Sequence, residues 1–84
     1  MAKLLYFASL RERLDCEQEQ LDLPQEVVTV ADLKSLLAVR DSRWNEAFSS
    51  DSRLLVSVNQ QMANAQSAIK NDDEIAFFPP VTGG

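Results

Sequence analysis

The sequence predicts an α+β fold, in which a sheet of four or five short strands is crossed by one main helix. Runs of apolar and aromatic residues typical of strands occur near both ends of the 84 residues and again past the middle. Between them, the period of an amphipathic helix begins near Val30. No repeat, low-complexity run or linker interrupts the chain, so we interpret residues 1–84 as a single domain with one modest core.

The first two strands are predicted over Lys3–Ala8 and Glu17–Leu23 and would form an opening hairpin. Side chains alternate between the two faces of a strand, so Lys3, Leu5 and Phe7 share one face. The lysine indicates that this face of the first strand meets solvent or a partner.

Two capping boxes predict where helices begin. In this motif a Ser or Thr side chain bonds the backbone three residues on, while an acidic residue there bonds back. Ser9 and Glu12 have this spacing, which predicts a short helix over Leu10–Leu14. Thr29 and Asp32 have it at the start of the main helix. The apolar stripe of the main helix consists of Val30, Leu33, Leu36 and Leu37.

A further short helix is predicted after the main one. Asp41 or Ser42 can cap it, because both side chains accept hydrogen bonds from the first backbone N–H groups. Trp44 and Phe48 are four residues apart, so they would stack on one face of this helix. We interpret Trp44 as a lid on the core and not as a platform for a ligand.

The remaining strands alternate with turns. Arg53–Asn59 is predicted as a strand, and Asn59–Gln61 as the turn after it, although no glycine supplies the positive φ that tight hairpins prefer. Met62–Ala65 would return beside that strand, and Ile69 would enter the core. An acidic turn then leads to the last strand, Glu74–Phe78.

The composition excludes several classes of function. A net charge of −5 disfavours nucleic acid and anionic membranes as partners and favours a basic protein surface. No apolar run approaches the roughly 20 residues of a membrane-spanning helix, and no signal peptide is recognisable. The chain has one cysteine, Cys16, and no histidine, which excludes an internal disulfide, zinc-finger metal sites and Cys–His or Ser–His catalysis. We expect a cytoplasmic protein in which Cys16 is an incidental thiol.

The C-terminal stretch carries the strongest functional signal. Pro79 and Pro80 end the last strand, because neither has a backbone N–H to donate, and they hold the chain extended. Glycine lets a backbone approach another molecule closely, and both glycines of the chain lie at its end. Such an end can enter a narrow channel and deliver its terminal carboxylate there. The tapering residues are Val81, Thr82, Gly83 and Gly84.

The last eight residues, FFPPVTGG, resemble the terminus of the small, sulfur-carrying subunit of molybdopterin synthase. This family has the ubiquitin-like β-grasp fold, so the resemblance implies a mixed sheet. It extends over the rest of the chain, where similar residues stand at Phe7, Ala8, Arg11, Glu12 and Leu54 through Asn59.

The resemblance implies a function in building molybdopterin. An ATP-dependent adenylyltransferase of the ubiquitin-activating type would convert the Gly84 carboxylate to an acyl-adenylate, and a sulfur donor protein would displace AMP to leave a thiocarboxylate. The tail would then enter the large catalytic subunit, in an assembly of two small and two large subunits. There its sulfur would form the dithiolene from the cyclic pyranopterin precursor (precursor Z). No stably bound cofactor is expected in this chain.

The resemblance and the strand alternation together indicate the docking residues. If Ile75 and Phe77 enter the core, Phe78 stands outside it, where it either anchors a partner or lies under a helix or loop of the same domain. The resemblance favours the partner. It places partner contacts at Phe7, Arg11, Met62, Phe78, Pro79, Pro80, Val81 and Thr82, with Gly83 giving access and Gly84 the reactive carboxylate.

Three other functions stay open. A sulfur carrier for thiamine synthesis would share the fold and the glycines, although the run from Phe77 to Thr82 does not resemble that family. A protein modifier of the ubiquitin class would attach Gly84 to lysines and give higher-mass adducts. A β-grasp adaptor would bind through its sheet and tolerate loss of both glycines.

Overall fold

Residues 1–49 and 53–80 of the chain are described by a computed structural model. In chain order their elements are β1 (Ala2–Tyr6), α1 (Ala8–Leu14), β2 (Gln18–Leu21), α2 (Val30–Ala38), α3 (Ser42–Phe48), β3 (Leu55–Val58), β4 (Gln61–Ala63) and β5 (Glu74–Phe78). The strands form one sheet in the order β2-β1-β5-β3-β4, in which β1 and β5 are parallel and the other neighbours are antiparallel. The predicted α+β fold with a mixed sheet is confirmed.

The main helix, α2, begins where its capping box predicts. Thr29 Oγ1 accepts a hydrogen bond from Asp32 N at 3.2 Å, and Asp32 Oδ2 accepts one from Thr29 N at 3.1 Å. Val30, Leu33 and Leu37 are buried against the sheet, so the predicted apolar stripe faces the core. No helix within residues 1–49 and 53–80 is long and apolar enough to cross a membrane.

The predicted capping box of α1, Ser9 with Glu12, is wrong. α1 begins at Ala8, and its N-cap is Phe7, whose side chain makes no capping hydrogen bond. Phe7 is still bonded to the sheet, because its N donates to Phe77 O at 3.2 Å. The chain must therefore turn from strand to helix within one residue, and Ala8 adopts the left-handed region with φ of 56°. Ser9 then lies inside the first turn, two residues past the N-cap position, and cannot cap the helix.

The first two strands are shorter than predicted, although they pair antiparallel as expected. β1 ends at Tyr6 because α1 follows so closely. β2 ends at Leu21 because the next backbone groups bond elsewhere: Leu23 N donates to Asn71 Oδ1 at 3.0 Å. Asn71 also donates through Nδ2 to Asp22 Oδ1, so the chain after β2 is tied to the turn that precedes β5.

An aromatic cluster fills the core between the sheet and α3. The ring of Tyr6 stacks on Phe77 with centroids 6.3 Å apart and meets Trp44 edge-on at 5.4 Å. Trp44 and Phe48 stack at 5.8 Å, as their spacing predicts. Trp44 is buried in the core cluster with the Arg40 guanidinium 4.4 Å from its ring centroid, which agrees with its interpretation as a lid on the core. Ile69 is also buried in the core, as predicted.

A two-residue turn joins β3 to β4, close to the predicted place. Asn59 and Gln60 have φ of 52° and 69°, which is the conformation of a type I′ hairpin turn without the usual glycine. Asn59 is anchored on both sides, since its Nδ2 donates to Asp73 Oδ1 at 2.9 Å and its Oδ1 accepts from Glu74 N at 3.0 Å. Gln60 makes the same turn without comparable side-chain bonds in the described part of the chain.

Candidate functional site

The sheet has one covered face and one that the helices leave open. On the covered face, Tyr6, Phe77 and Val56 are neighbours on β1, β5 and β3, and the buried residues of all three described helices join them in one core cluster. Side chains at the alternate positions of each strand point the other way. We call this second surface the outer face; it consists of Lys3, Leu5, Phe7, Leu55, Ser57, Met62, Glu74, Ala76 and Phe78.

One row of side chains crosses the outer face through its centre. Leu5 is paired with Ala76, Ala76 with Ser57, and Ser57 with Met62, so the row runs over β1, β5, β3 and β4. Met62 lies on the last strand of the sheet and is 66% exposed. A methionine so exposed on a sheet face is typical of a surface that a partner covers.

A second row lies where β1 and β5 end. Phe78 is paired with Leu55 of β3. Phe7 lies beside Phe78, because the two strands are parallel and Phe7 N is bonded to Phe77 O. Phe7 is 47% exposed. The structure therefore brings three of the predicted docking residues, Phe7, Met62 and Phe78, to the same face of one sheet.

Phe78 stands outside the core, as strand alternation predicts. Its strand neighbours Ile75 and Phe77 are fully buried in the core cluster. Phe78 itself is half-buried, and neither Phe78 nor Leu55 belongs to the residues packed against that cluster. Because the described helices bury their residues on the opposite face, they do not account for the burial of Phe78. The role of Phe78 as an anchor stays a prediction.

The tail leaves the sheet beside the outer face. Phe78 is the last residue of β5, Pro79 is half-buried and Pro80 is exposed. The ladder ends at Phe78, since the two prolines have no N–H to continue it. The tail residues predicted to thread the partner lie outside the described residues: Val81, Thr82, Gly83 and Gly84.

The chain is similar to known proteins in both sequence and structure. The sequence model of the ThiS family matches residues 4–84. The chain belongs to the ThiS family. It is 40% identical over 84 residues to the molybdopterin synthase sulfur carrier subunit of Haemophilus influenzae and 40% identical over 86 residues to that of Escherichia coli, with 100% of each chain covered.

The solved structures agree with this membership. SAMP1 of Haloferax volcanii, a small archaeal modifier protein, superposes with a TM-score of 0.77 at 27% identity, over 99% of this chain and 98% of that one. The ubiquitin-like β-grasp fold is therefore confirmed for this ThiS-family chain, as is its resemblance to molybdopterin synthase sulfur carriers.

Arg11 of this ThiS-family chain is near the outer face only through its backbone. Its N donates to Phe7 O at 3.4 Å, at the first turn of α1. The side chain instead forms an ion pair with Glu17 at 3.9 Å, in which both side chains are more than half exposed. Such an exposed pair contributes little to stability, so Arg11 is free to exchange Glu17 for an acidic group of a partner.

The interpretation of Cys16 as an incidental thiol stays a prediction, but its surroundings do not favour a nucleophile. It is half-buried, and burial raises the pKa of its thiol, with the carboxylate of Glu19 adding to the rise. A thiol with a raised pKa is a poor nucleophile, because the thiolate is the reactive form. Among residues 1–49 and 53–80, no group of three His, Cys, Asp or Glu side chains is placed to hold a metal ion.

A polar network at the β1–β2 side of the sheet was not predicted. Tyr6 donates from its hydroxyl to Glu19 Oε2 at 2.8 Å, and Arg40 donates to both Glu19 oxygens at 2.8 and 2.9 Å. The Arg40 guanidinium also lies 4.4 Å from the centroid of the Trp44 ring. We call Tyr6, Glu19 and Arg40 the polar clamp, because together they tie β1 and β2 to the segment between α2 and α3.

The clamp keeps Glu19 ionised. Burial alone would raise the pKa of Glu19, but the hydrogen bonds from Arg40 and Tyr6 outweigh it and lower that pKa. The bond to Glu19 in turn raises the pKa of Arg40, and burial followed by the bond to Glu19 raises the pKa of Tyr6. The clamp therefore holds one carboxylate and one guanidinium as a charged pair, with the tyrosine as a neutral donor.

Proposed function

We propose that the chain is the sulfur-carrier subunit of a molybdopterin synthase. The observation that carries this proposal is the 40% identity, over the full length of both chains, to two subunits of that name. The FFPPVTGG end supports it, because a sulfur carrier needs a terminal carboxylate on a segment slim enough to enter its partner. The protein would work in the cytoplasm.

The first step is activation of the tail. A carboxylate is a poor electrophile, so an activating enzyme must first join it to AMP. In our proposal a Gly84 carboxylate oxygen attacks the α-phosphorus of ATP and pyrophosphate leaves, on an adenylyltransferase of the ubiquitin-activating type. A sulfur donor protein then delivers sulfur at the oxidation level of sulfide; this sulfur attacks the acyl carbon, the bond from that carbon to the AMP oxygen breaks, and Gly84 ends in a thiocarboxylate.

The second step is transfer in the large catalytic subunit. The thiocarboxylate sulfur of Gly84 is the nucleophile that adds to the cyclic pyranopterin precursor. Water then cleaves the acyl–sulfur bond, which leaves the sulfur on the pterin and returns the Gly84 carboxylate. A second loaded chain supplies the other sulfur of the dithiolene. The basic residues that bind the anionic pterin belong to the large subunit, because this chain carries a net charge of −5. Two small and two large subunits would form the assembly.

The described residues supply the docking surface for this transfer. Phe7, Met62 and Phe78 present apolar area on the outer face, and the exposed side chain of Arg11 adds a cation in the first helix, whose backbone is bonded to Phe7. Pro79 and Pro80 would give the tail a stiff start, which limits the entropy lost when it is threaded.

The tail chemistry is tested by three variants: deletion of Gly84, extension by one residue and Gly83→Val. The extension moves the reactive carboxylate by up to ~3.5 Å, which is large against the distances that acyl transfer tolerates. The valine adds bulk and disfavours positive φ. We expect each variant to lose sulfur loading or pterin product, with an unchanged melting temperature.

Loading is read from intact mass, as one oxygen replaced by sulfur after incubation with ATP, the adenylyltransferase and the sulfur donor. Pterin product is then measured with the large subunit. Full turnover by the extended chain, without trimming, would contradict the proposal.

A second candidate function is protein modification. It is favoured by the similarity to SAMP1, named as a small archaeal modifier protein, at a TM-score of 0.77 over 99% of this chain. A modifier would form isopeptide bonds from Gly84 to lysines. Immunoblots of the native cells distinguish the two: a ladder of adducts that disappears on Gly84 deletion supports modification, and a single band with a thiocarboxylate mass supports the sulfur carrier alone.

A further inference from the structure

The backbone hydrogen bonds between β1 and β5 follow a regular pattern up to Phe7. In a parallel pair, a residue that faces the neighbouring strand donates to the residue before its partner and accepts from the residue after it. Lys3 is paired with Glu74, and its N donates to Asp73 O at 2.9 Å. Phe7, directly after β1, donates in the same way to Phe77 O at 3.2 Å. The corresponding bond to the Phe7 carbonyl would come from the backbone nitrogen of residue 79.

Residue 79 is a proline, and because proline has no N–H this bond cannot form. The carbonyl of Phe7 instead accepts a bond from Arg11 N at 3.4 Å, in the first turn of α1. Phe7 is therefore shared between two elements, since its N bonds to the sheet and its O to the helix. The parallel register next pairs Phe7 with Phe78, and Pro79 removes one of the two bonds that this pair would make.

The backbone nitrogens of Pro79 and Pro80 belong to different sides of β5. Successive residues of a strand direct their N and O atoms to opposite neighbours. Phe77 O accepts from the β1 side, whereas Glu74 O accepts from Asn59 N at 2.8 Å, on the β3 side. Continued along β5, this alternation turns the nitrogen of residue 79 towards β1 and that of residue 80 towards β3. Only a donor at position 79 could add a bond to the β1 side.

We propose that Pro79 is a positioning residue for sulfur loading, which acts inside its own chain. By withholding the last bond to the β1 side, it lets the tail leave the sheet after Phe78 and leaves the Phe7 carbonyl to α1. Pro79 is half-buried in the free chain whereas Pro80 is exposed, which agrees with an internal role for the first proline. The inference rests on the proposed function, in which the tail must be free to enter the adenylyltransferase.

A donor at position 79 would hold the start of the tail on the sheet. Only a fraction of the molecules would then have a released tail, and the apparent affinity of an enzyme for the tail falls by that fraction. One net backbone hydrogen bond shifts such an equilibrium by roughly two- to tenfold. We therefore expect Pro79→Ala to raise the KM of the adenylyltransferase for this chain about fivefold. The kcat should stay within about twofold of the wild type, because the Gly84 carboxylate is unchanged.

The new bond itself is observable by NMR of the free chain. In Pro79→Ala, the amide at position 79 should show a scalar coupling to the carbonyl carbon of Phe7. It should also exchange with solvent roughly tenfold more slowly than in an unstructured peptide. Pro80→Ala is the matched control, because its new donor faces away from β1: we expect no coupling to Phe7 and a KM within about twofold of the wild type. A thermal melt shows that both variants stay folded.

The missing donor and the stiff ring of Pro79 are separated by a further variant. An N-methylalanine at position 79, introduced by semisynthesis, has neither an N–H nor a ring, and it should restore the wild-type KM. The inference is overturned if Pro79→Ala shows no coupling to Phe7 or is loaded with the wild-type KM. Equal losses in Pro79→Ala and Pro80→Ala, or a raised KM with N-methylalanine, overturn it as well.

Failure of the proposed function looks different. In that case the wild-type chain never acquires the thiocarboxylate mass, and the role of Pro79 in loading fails with it. If the wild type is loaded and Pro79→Ala is loaded equally well, the role of Pro79 alone is refuted.

Discussion

The two faces of β5 differ in what they do, although they belong to the same five residues. Ile75 and Phe77 point into the core and are fully buried. Ala76 and Phe78 point to the outer face and make no part of that core. In a small domain, strand alternation thus separates the residues that hold the fold from those that are available to a partner. Stability and binding can then be changed independently.

The rest of the sheet follows the same division. On the inner side, Trp44 and Phe48 pack against Tyr6. The polar clamp bonds the Tyr6 hydroxyl to Glu19 of the neighbouring strand β2. The outer side keeps Phe7 and Met62 exposed. If the division is correct, substitutions on the inner side should change the free energy of unfolding, and those on the outer side the affinity for the large subunit.

The largest effect is expected from Phe77→Ala, on the inner side. It removes a fully buried ring that contacts Tyr6 and Phe48, at centroid distances of 6.3 and 5.1 Å. Loss of a buried phenylalanine costs about 3–5 kcal/mol, a large part of the stability of a small domain. Denaturant unfolding measures the loss. A decrease below about 1 kcal/mol would mean that the inner side does not hold the fold.

The partner experiment is Phe78→Ala, one residue along the strand. Here the affinity for the large subunit should fall by about 2 kcal/mol, roughly thirtyfold, because an aromatic anchor is removed from the outer face. The free energy of unfolding should change by less than about 1 kcal/mol. Titration and a thermal melt of the same sample check both. Equal affinity, or a collapsed melting temperature, would break the separation of the two faces.

A third effect comes from acid and belongs to the inner side. The pKa of Glu19 is lowered in the folded state, so its contribution to stability is complete above the unfolded pKa, roughly 4.3, and is lost as pH falls through the lower folded value. Glu19→Gln should therefore remove about 1 kcal/mol at neutral pH and flatten the fall of stability below pH ~4.5. Urea unfolding from pH 7 to 3 measures it.

The matched control for acid sensitivity is Glu17→Gln. Glu17 pairs with Arg11 at 3.9 Å in an exposed geometry, unlike the two short bonds from Arg40 to Glu19. It should leave the pH profile nearly unchanged. Two variants with identical profiles would show that the clamp contributes no more than a surface pair.

The smallest effect is expected at the edge, where neither face is involved. Gln60 has φ of 69°, a conformation that disfavours side chains with a Cβ. Gln60→Gly should raise the free energy of unfolding by about 0.5 kcal/mol, the relief of strain exceeding the added entropy of the unfolded chain. Asn59→Gly should instead destabilise, because it removes the bonds to Asp73 and Glu74. Equilibrium denaturation of the two variants measures these changes in the free energy of unfolding, and changes of the same sign would contradict the prediction.

Local signals in the sequence predicted the features that depend on few residues. The Thr29–Asp32 capping box marked the start of α2, and alternation placed Phe78 outside the core. The Ser9–Glu12 pair has the same spacing and failed, because Phe7 is still bonded to Phe77 when the helix must begin. A capping motif indicates which residue types are favoured at the N-cap of a helix. The number of residues between the preceding strand and the helix determines which residue occupies that position.

Features that depend on register were beyond the sequence. Glu19 and Arg40 are 21 residues apart and meet only because β2 pairs with β1 and α2 ends above them. The same holds for the outer face, where Ala76 of β5 is paired with Leu5 of β1 and with Ser57 of β3. The resemblance of the chain to known sulfur carriers predicted which residues dock. Only the structure shows that Phe7, Met62 and Phe78 lie on the same face of the sheet.

The place of β5 has a consequence for synthesis on the ribosome. It lies between β1 and β3, although it is the last of the described strands to emerge. The pairs β1–β2 and β3–β4 are made earlier, but among the described strands only β5, with Ile75 and Phe77, connects them into one sheet. Because Ala76 and Phe78 arrive on the same strand, a nascent chain has no assembled outer face. Partners that recognise this face would therefore select finished molecules over incomplete ones.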